Sequence, residues 1–354
     1  MKNKYFMNSN SLWGWFAAGI VGATAIFFGV TTSTKHKDAL DNSSNEQIAL
    51  SQKQNPSRPL YGLNGLVKFN RVGLCDPRFI KVIDSLDIDW FRYPGGTNAN
   101  YANWRTDSPS LRSVQLLVQG TGMKIMFDLN ILTSTLDDQM QMLNEADKLG
   151  IVGDGLLELG NELNQSKYEG KERFPNARAY ADTCHRWIAA LKKRFPKAQF
   201  AVVGENKRWK GGEDWANIQV KTNPEANLIW HFYPPGKFTH NGILDTSALK
   251  TLIHEDFVKS FGNSISPSKV WITEFNIGDH DKDPKEMLDT FANGQEKLAL
   301  KFALHEFANM GIKMIGKHNI VGKNYAAVYA DKKSAYLLPV GRAIREFMLS
   351  QKGQ

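Results

Sequence analysis

The chain has 354 residues, with ordinary apolar (42%) and charged (23%) fractions, which fits a globular protein with a large core in one barrel-sized domain or two smaller ones. The formal net charge is +8, but four of those charges (Lys2, Lys4, Lys35 and Lys37) fall in a leader without acidic residues, so the remainder is too mildly basic to argue for nucleic acid. The only two cysteines, Cys75 and Cys184, lack metal-ligand spacing, which argues against a zinc site; two unpaired buried thiols is the favoured reading over a single disulfide.

Leu12 to Val30 is a run of 19 residues without a charge. That length just spans a bilayer and also suits the apolar part of a signal peptide. Residues 1–34 are therefore expected to be a signal peptide or an N-terminal membrane anchor. The protein is expected to be exported, either secreted or periplasmic, or held at the membrane by that segment. Residues 35–58 are polar and aperiodic, as in Asp41-Asn-Ser-Ser-Asn-Glu46 and Ser51-Gln-Lys-Gln-Asn-Pro56, and read as a disordered linker. The globular part is expected over 59–354.

From Pro59 onward short apolar runs alternate with longer amphipathic patterns. The runs predict strands at Tyr61–Gly65, Asp89–Tyr93, Lys124–Leu129, Gly155–Gly160, Gln199–Val203, Asn227–Phe232, Val270–Phe275 and Lys313–Lys317. Helical periodicity predicts helices near 76–86, 109–119, 136–149, 175–194, 246–261, 286–310 and 339–350, with a short one around Trp215. Eight strands with intervening helices match an α/β fold, the (β/α)8 TIM barrel. A doubly wound open sheet is the alternative. It would usually carry a glycine-rich phosphate loop after its first strand, and Leu63-Asn-Gly-Leu-Val67 does not fit that pattern.

In a barrel the C-terminal strand ends form one rim, where the chemistry sits. Arg92, Asn130, Asn161, Glu162, Glu205, His231, Tyr233, Glu274 and His318 would stand there. Glu162 and Glu274 stand out because each caps a strongly apolar strand, the fourth and the seventh, which face each other across the mouth. Alternation along Leu156–Glu162 puts Glu158, Gly160 and Glu162 on one face. Glu158 then lies in a buried layer below the mouth and needs a hydrogen-bonding partner. Two facing carboxyl groups, one protonated and one ionised, suit glycoside hydrolysis.

Gly160-Asn161-Glu162 on strand four and Thr273-Glu274 on strand seven resemble the clan of retaining glycoside hydrolases with catalytic glutamates on those strands. Phe91-Arg92-Tyr-Pro-Gly-Gly96, Asn103-Trp104-Arg105 and Trp230-His231-Phe-Tyr233 bring it nearest to the α-L-arabinofuranosidase and heparanase-like (β-glucuronidase) families. The resemblance covers about residues 60–345. It implies Glu162 as acid/base, Glu274 as nucleophile, Asn161 as the contact to the sugar 2-hydroxyl, and Tyr233 as a hydrogen-bond donor to the nucleophile. Arg92, Asn130, Trp209, His231 and His318 complete the expected substrate-binding set, with a carbohydrate as partner and neither cofactor nor metal. The sequence departs from the pattern in three places. Leu163 follows Asn-Glu where proline is usual, Lys317-His318-Asn319 replaces a strand-eight tryptophan, and the final helix Gly341–Leu349 leaves no clear accessory β-domain.

Two other functions compete with this reading: a non-catalytic glycan-binding barrel and a metal-dependent barrel hydrolase. Asp279-His-Asp-Lys-Asp283 resembles the start of a calcium loop, but Pro284 stands where glycine is needed, so a polar loop is expected. Trp104 and Trp209 are candidates for a sugar-stacking platform or for loop anchors. Lys192-Lys-Arg194 is expected to be a solvated helix end, and Lys207-Arg208 with Lys210 a candidate contact to an acidic substrate.

Overall fold

The computed structural model describes residues 58–65, 73–107, 109–165, 172–206, 214–234, 238–240, 243–277, 294–321 and 326–352. The leader, the tether up to Ser57, Trp209 with Lys207, Arg208 and Lys210, and the loop Asp279–Asp283 lie outside them.

Eight strands, β1 (Leu60–Asn64), β2 (Trp90–Tyr93), β3 (Lys124–Leu129), β4 (Leu156–Leu159), β5 (Gln199–Val203), β6 (Asn227–Phe232), β7 (Val270–Phe275) and β8 (Met314–Lys317), close into one barrel. Every neighbouring pair is parallel, and β8 closes on β1. The described helices are α1 (Pro77–Asp84), α2 (Leu111–Thr121), α3 (Leu136–Lys148), α4 (Ala177–Arg194), α5 (Trp215–Thr222), α6 (Thr246–Phe261), α7 (Gln295–Asn309) and α8 (Pro339–Lys352). Six of them begin on an Asp, Asn, Ser or Thr whose side chain accepts a backbone N–H of the first turn, which is why the polar residue before each apolar pattern marks a start. The expected (β/α)8 barrel is therefore the fold. None of the described helices is long and apolar enough to cross a membrane; the run Leu12–Val30 lies outside the described residues.

Boundaries differ from expectation by a residue or two, for local reasons, except that the helix expected over 286–310 is seen over Gln295–Asn309, residues 286–293 lying outside the described ones. Strand four stops at Leu159 because Gly160 takes φ +81°, a backbone conformation that ends a ladder. Glu162 therefore does not reach the mouth by strand alternation. Four features have no counterpart among the predicted ones: the 3₁₀ helices Gly96–Asn100 and Pro267–Lys269 and the hairpins Thr239–His240/Ile243–Leu244 and Val328–Ala330/Ala335–Leu337. Cys75 is exposed rather than buried, while Cys184 is buried; both are free thiols.

Side-chain alternation on β2 organises the barrel interior. Trp90 and Arg92 point in. Tyr93 points out, its hydroxyl donating to the Pro109 carbonyl at 2.8 Å. The Trp90 indole fills the floor because its neighbours in register, Gly62 and Gly316, have no side chain. A Cβ on Gly62 would lie 2.2 Å from that ring and one on Gly316 2.4 Å from it. Tyr180 of α4 fixes the next sector. Its hydroxyl donates to the Leu159 carbonyl at 2.5 Å and accepts the Val203 N–H at 3.0 Å, tying the helix to β4 and β5.

Gly62→Ala should destabilise the protein by roughly 1–3 kcal/mol through overpacking, read as a lower denaturant midpoint. Trp90→Leu in the same chain should recover part of the loss. An unchanged midpoint in Gly62→Ala would contradict the tight floor.

Candidate active site

Arg92 stands one layer above Trp90 and is fully buried. Its Nε and Nη2 donate to the two oxygens of Glu158 at 2.8 and 2.5 Å. Nη2 also donates to Asn161 Oδ1 at 3.0 Å, and Nη1 donates to Glu274 Oε1 at 2.6 Å and to Asn64 Oδ1 at 3.4 Å. These bonds commit all five guanidinium N–H groups. Asp128 Oδ2 lies 2.8 Å from Nη2, yet neither Asp128 oxygen accepts a hydrogen bond from the described residues. Burial works against the Arg92 charge, but the facing Asp128, Glu158 and Glu274 outweigh it and raise its pKa. Burial pushes Asp128 well above the usual carboxylate range, against the pull of Arg92 and with the push of Glu158 and Glu274. The partner that Glu158 required is thus Arg92, and Glu158 fixes the orientation of its guanidinium.

Glu274, at the end of β7, meets three donors. Oε1 accepts from Arg92 Nη1 and, at 2.8 Å, from Asn64 Nδ2. Oε2 accepts from the Tyr233 hydroxyl at 2.7 Å. Burial opposes its ionisation, but His231, His318 and Arg92 outweigh both that and the Glu162 charge, and they hold Glu274 down at about 2. His318 itself is pushed down to about 4, chiefly by burial. Near neutral pH it therefore faces Glu274 as an uncharged ring, and the permanent positive charge on Glu274 is that of Arg92. The other amide hydrogen of Asn64 reaches His318 Nδ1 at 2.9 Å. That bond makes Nδ1 an acceptor and puts the ring proton on Nε2.

Glu162 reaches the mouth through a turn. It adopts φ +51°, uncommon for a residue with a side chain and costing on the order of 1 kcal/mol or more. Asn100 holds the turn: its amide donates to the Asn161 carbonyl at 2.8 Å and accepts the Asn161 N–H at 3.0 Å. Glu162 Oε1 is 3.1 Å from His231 Nδ1, and His231 Nε2 is 3.0 Å from Thr273 Oγ1. Thr273 in turn donates to Glu158 Oε1 at 3.4 Å, so its oxygen accepts from His231 Nε2–H. A neutral His231 then has no proton on Nδ1, and the contact with Glu162 is a hydrogen bond only if Glu162 carries one. A charged His231 would instead donate to an ionised Glu162. Either way, one proton is held between the two side chains.

His231 Nδ1 is also 3.8 Å from Glu274 Oε2. The two distances from Nδ1 cap the separation of the facing glutamate oxygens at about 7 Å, which admits the ~5–5.5 Å spacing of retaining enzymes. The structure thus brings Arg92, Asn161, Glu162, His231, Tyr233, Glu274 and His318 together. Glu205 supports them by accepting the His231 N–H at 3.1 Å. Asn130 stands apart, its side chain bonded to the Ala102 carbonyl and to Thr133. Trp104 donates to Asp138 at 3.3 Å and carries the Arg105 guanidinium 4.2 Å from its ring centroid, so it is tied to α3 with one face covered. Three residues escaped the sequence reading: Asn64, Asn100 and Asp128. Asn64 and Asp128 had a signal, since each is a polar residue in or ending an apolar strand. Asn100 had none. Among the described residues no group of three or more His, Cys, Asp or Glu is arranged to hold a metal ion.

The barrel is similar to solved structures of other proteins. The α-L-arabinofuranosidase from Thermotoga maritima, in its arabinose complex, shares 15% identity over 83% of this chain and 70% of that one, with a TM-score of 0.59. AbfB, a family 51 α-L-arabinofuranosidase from Bifidobacterium longum, shares 13% over 83% and 75%, with a TM-score of 0.61. ZgEngAGH5_4, in complex with a cellotriose, shares 13% over 82% and 96%, with a TM-score of 0.53. At these identities the likeness is one of fold, the (β/α)8 barrel expected from the alternation of strands and helices. No protein-family model and no curated protein matches the chain.

His318 makes stability depend on pH. In the unfolded chain it titrates near 6.5 and in the fold at about 4. Between those values the unfolded chain takes up a proton that the folded one refuses, so stability falls as pH drops through that window, by on the order of 3 kcal/mol. Glu274 acts in the same direction lower down: its contribution is complete above 4.5 and is lost as pH falls toward 2. Urea unfolding at a series of pH values should show both slopes. In His318→Gln the upper slope should flatten and the lower one persist; an upper slope that survives the substitution would exonerate His318.

Proposed function

We propose that the protein is a retaining glycoside hydrolase acting on a poly- or oligosaccharide. The observation that carries this reading is the pairing of two unlike carboxyl groups across one imidazole. Glu274 is held ionised by Arg92, Asn64 and Tyr233, and Glu162 shares a proton with His231. In the first step a Glu274 oxygen attacks the anomeric carbon while Glu162 gives its proton to the departing glycosidic oxygen. Oε1 accepts from both Arg92 and Asn64 while Oε2 accepts from Tyr233, which makes Oε2 the attacking oxygen in this reading. In the second step Glu162 takes a proton from water, the water oxygen attacks the anomeric carbon, and the bond to Glu274 breaks. Asn161, anchored by Arg92 and Asn100, is placed to meet a sugar hydroxyl beside that carbon. The glycosidases with similar barrels support the same reaction class. The Tyr233–Glu274 bond and the close carboxyl pair favour catalysis over a barrel that only binds glycans.

Purified Glu274→Gln should lose more than about a thousandfold in turnover on an aryl-glycoside panel while still unfolding in one cooperative transition. Glu162→Ala should lose ~10²–10⁴-fold on poor leaving groups. On an activated aryl glycoside it should still release the aryl group rapidly in the first turnover and then stall. Equal losses on all leaving groups would refute the acid/base role.

We further propose that the barrel works outside the cytoplasm, on the strength of the uncharged run Leu12–Val30 and the polar tether that follows. Protease added to intact cells should degrade the barrel or find it in the medium; complete protection that ends only on lysis would contradict this.

A further inference from the structure

Thr273 and Glu274 are consecutive, yet both face into the barrel, which two neighbours on a regular strand do not do. The strand pairings show how. Between β6 and β7, Trp230 pairs with Ile272 and His231 with Glu274. Between β8 and β7, Ile315 pairs with Ile272 and Lys317 with Phe275. Each neighbour skips one residue of β7 after Ile272, a bulge of the kind that re-aims a side chain. The fully buried Thr273 thereby reaches Glu158 and His231, while Glu274 reaches Arg92 and Tyr233.

The hydrogen bonds through Thr273 run in one direction, and Arg92 sets it. A guanidinium only donates. Both oxygens of Glu158 accept from Arg92, which leaves that carboxyl group as an acceptor. The Thr273 hydroxyl, 3.4 Å from Glu158 Oε1, donates to it; turned toward His231 instead, it would set an oxygen lone pair against the carboxylate. With its proton so committed, Thr273 Oγ1 accepts, and His231 Nε2, at 3.0 Å, supplies the hydrogen. Nδ1 of the neutral ring is then an acceptor, and Glu162 Oε1, 3.1 Å away, carries the proton between them. Burial of both side chains favours this uncharged pair over an imidazolium and a carboxylate. Glu274, 3.8 Å from Nδ1, would attract a charge on the ring and repel one on Glu162, so it does not decide between the two. The other charged or titratable groups around the pair are Glu205, which accepts the His231 backbone N–H, and Arg92, Asp128, Glu158 and His318 behind it.

We infer that Thr273 is a positioning residue for the acid/base: by holding the ring proton of His231 on Nε2 it keeps Nδ1 an acceptor, so that Glu162 carries the proton to be transferred. The inference rests on the glycosidase reading for the use of that proton, though not for its place. An unprotonated Nδ1 facing Glu162 disfavours the ionised carboxylate and so keeps the acid form in use at higher pH. Without the Thr273 oxygen the ring proton would turn to Nδ1 and donate to Glu162, which would then give up its own proton at lower pH. Glu158 would keep its bidentate pair with Arg92, and the donors to Glu274 would stay in place.

The experiment uses the full chain labelled with heavy-nitrogen histidine. Two-bond proton–nitrogen spectra read the His231 ring, whose signals are assigned by their loss in His231→Gln. Near neutral pH the wild type should carry a proton on Nε2 and none on Nδ1. In Thr273→Val, which keeps the shape and removes the acceptor, the proton should move to Nδ1, and Thr273→Ser should keep it on Nε2. A wild-type ring protonated on Nδ1 overturns the inference, whether or not Thr273→Val folds. Kinetics on aryl glycosides supply the second readout. In Thr273→Val the basic limb of the kcat/KM profile should move to lower pH by about one unit or more, while the acidic limb, set by Glu274, stays. Poor leaving groups should slow more than activated ones, and Thr273→Ser should restore both properties. A loss uniform over pH and leaving group, with the proton still on Nε2, would reduce Thr273 to a structural part and overturn its role. If the wild type cleaves no glycoside, the glycosidase reading falls, and the spectra still decide where the proton sits.

Discussion

One buried guanidinium sets the terms for the rest of the mouth. Arg92 has five N–H groups in a rigid plane, and it sits among three carboxyl groups in the middle of a closed barrel. Glu158 takes two of the five in a bidentate pair, the arrangement that fixes a guanidinium most firmly. The remaining three then point to fixed places, at Asn161, Asn64 and Glu274. Losing a member of such a buried cluster would leave a charge without compensation, a cost of roughly 3–5 kcal/mol. The cluster therefore ties ionisation of Glu274 to the integrity of the barrel. One carboxyl group is left over by the count of donors. Asp128 is that group, and it meets the guanidinium by charge alone.

The two glutamates owe their difference to their surroundings. Glu274 sits at the end of a regular strand and receives donors from β1, β2 and the residue after β6. Glu162 lies beyond a strand that has already ended, in a left-handed conformation, against an imidazole whose other nitrogen is engaged by Thr273. The chain Glu158–Thr273–His231–Glu162 links the layer that orients Arg92 to the shared proton. A change at Glu158 would therefore reach both glutamates, one through Arg92 and the other through Thr273 and His231.

Much of this was legible in the residue order. Apolar runs of four to six residues separated by capped amphipathic segments revealed the eight barrel strands and the helices between them, because burial of a parallel strand on both faces leaves that pattern and little else. The same contrast exposed Glu162 and Glu274, since a carboxyl group at the tip of an apolar run has to be accounted for. Asn64 obeys that rule too, at the tip of Leu60–Asn64. Asn100 does not. It lies in a 3₁₀ turn with no periodicity, and its importance is the pair of bonds to the Asn161 backbone, 61 residues away. The hairpin Val328–Ala330/Ala335–Leu337 was equally hidden: its strands have three residues each, too few to show an alternation.

By itself the sequence determined the barrel, the strand order along the chain, and which carboxyl groups would stand at the rim. These follow from local patterns of burial and capping that each segment carries alone. The tertiary structure decided how those groups are partnered. It gave Arg92 to Glu158 and Glu274 and withheld it from Asp128. It set Glu162 by a backbone turn that no strand period describes, and it put His318 where a charge on its ring would be disfavoured. Such outcomes depend on the direction of a handful of N–H bonds among groups distant in sequence and adjacent in space, and a closed barrel fixes those directions only when all eight strands are in place.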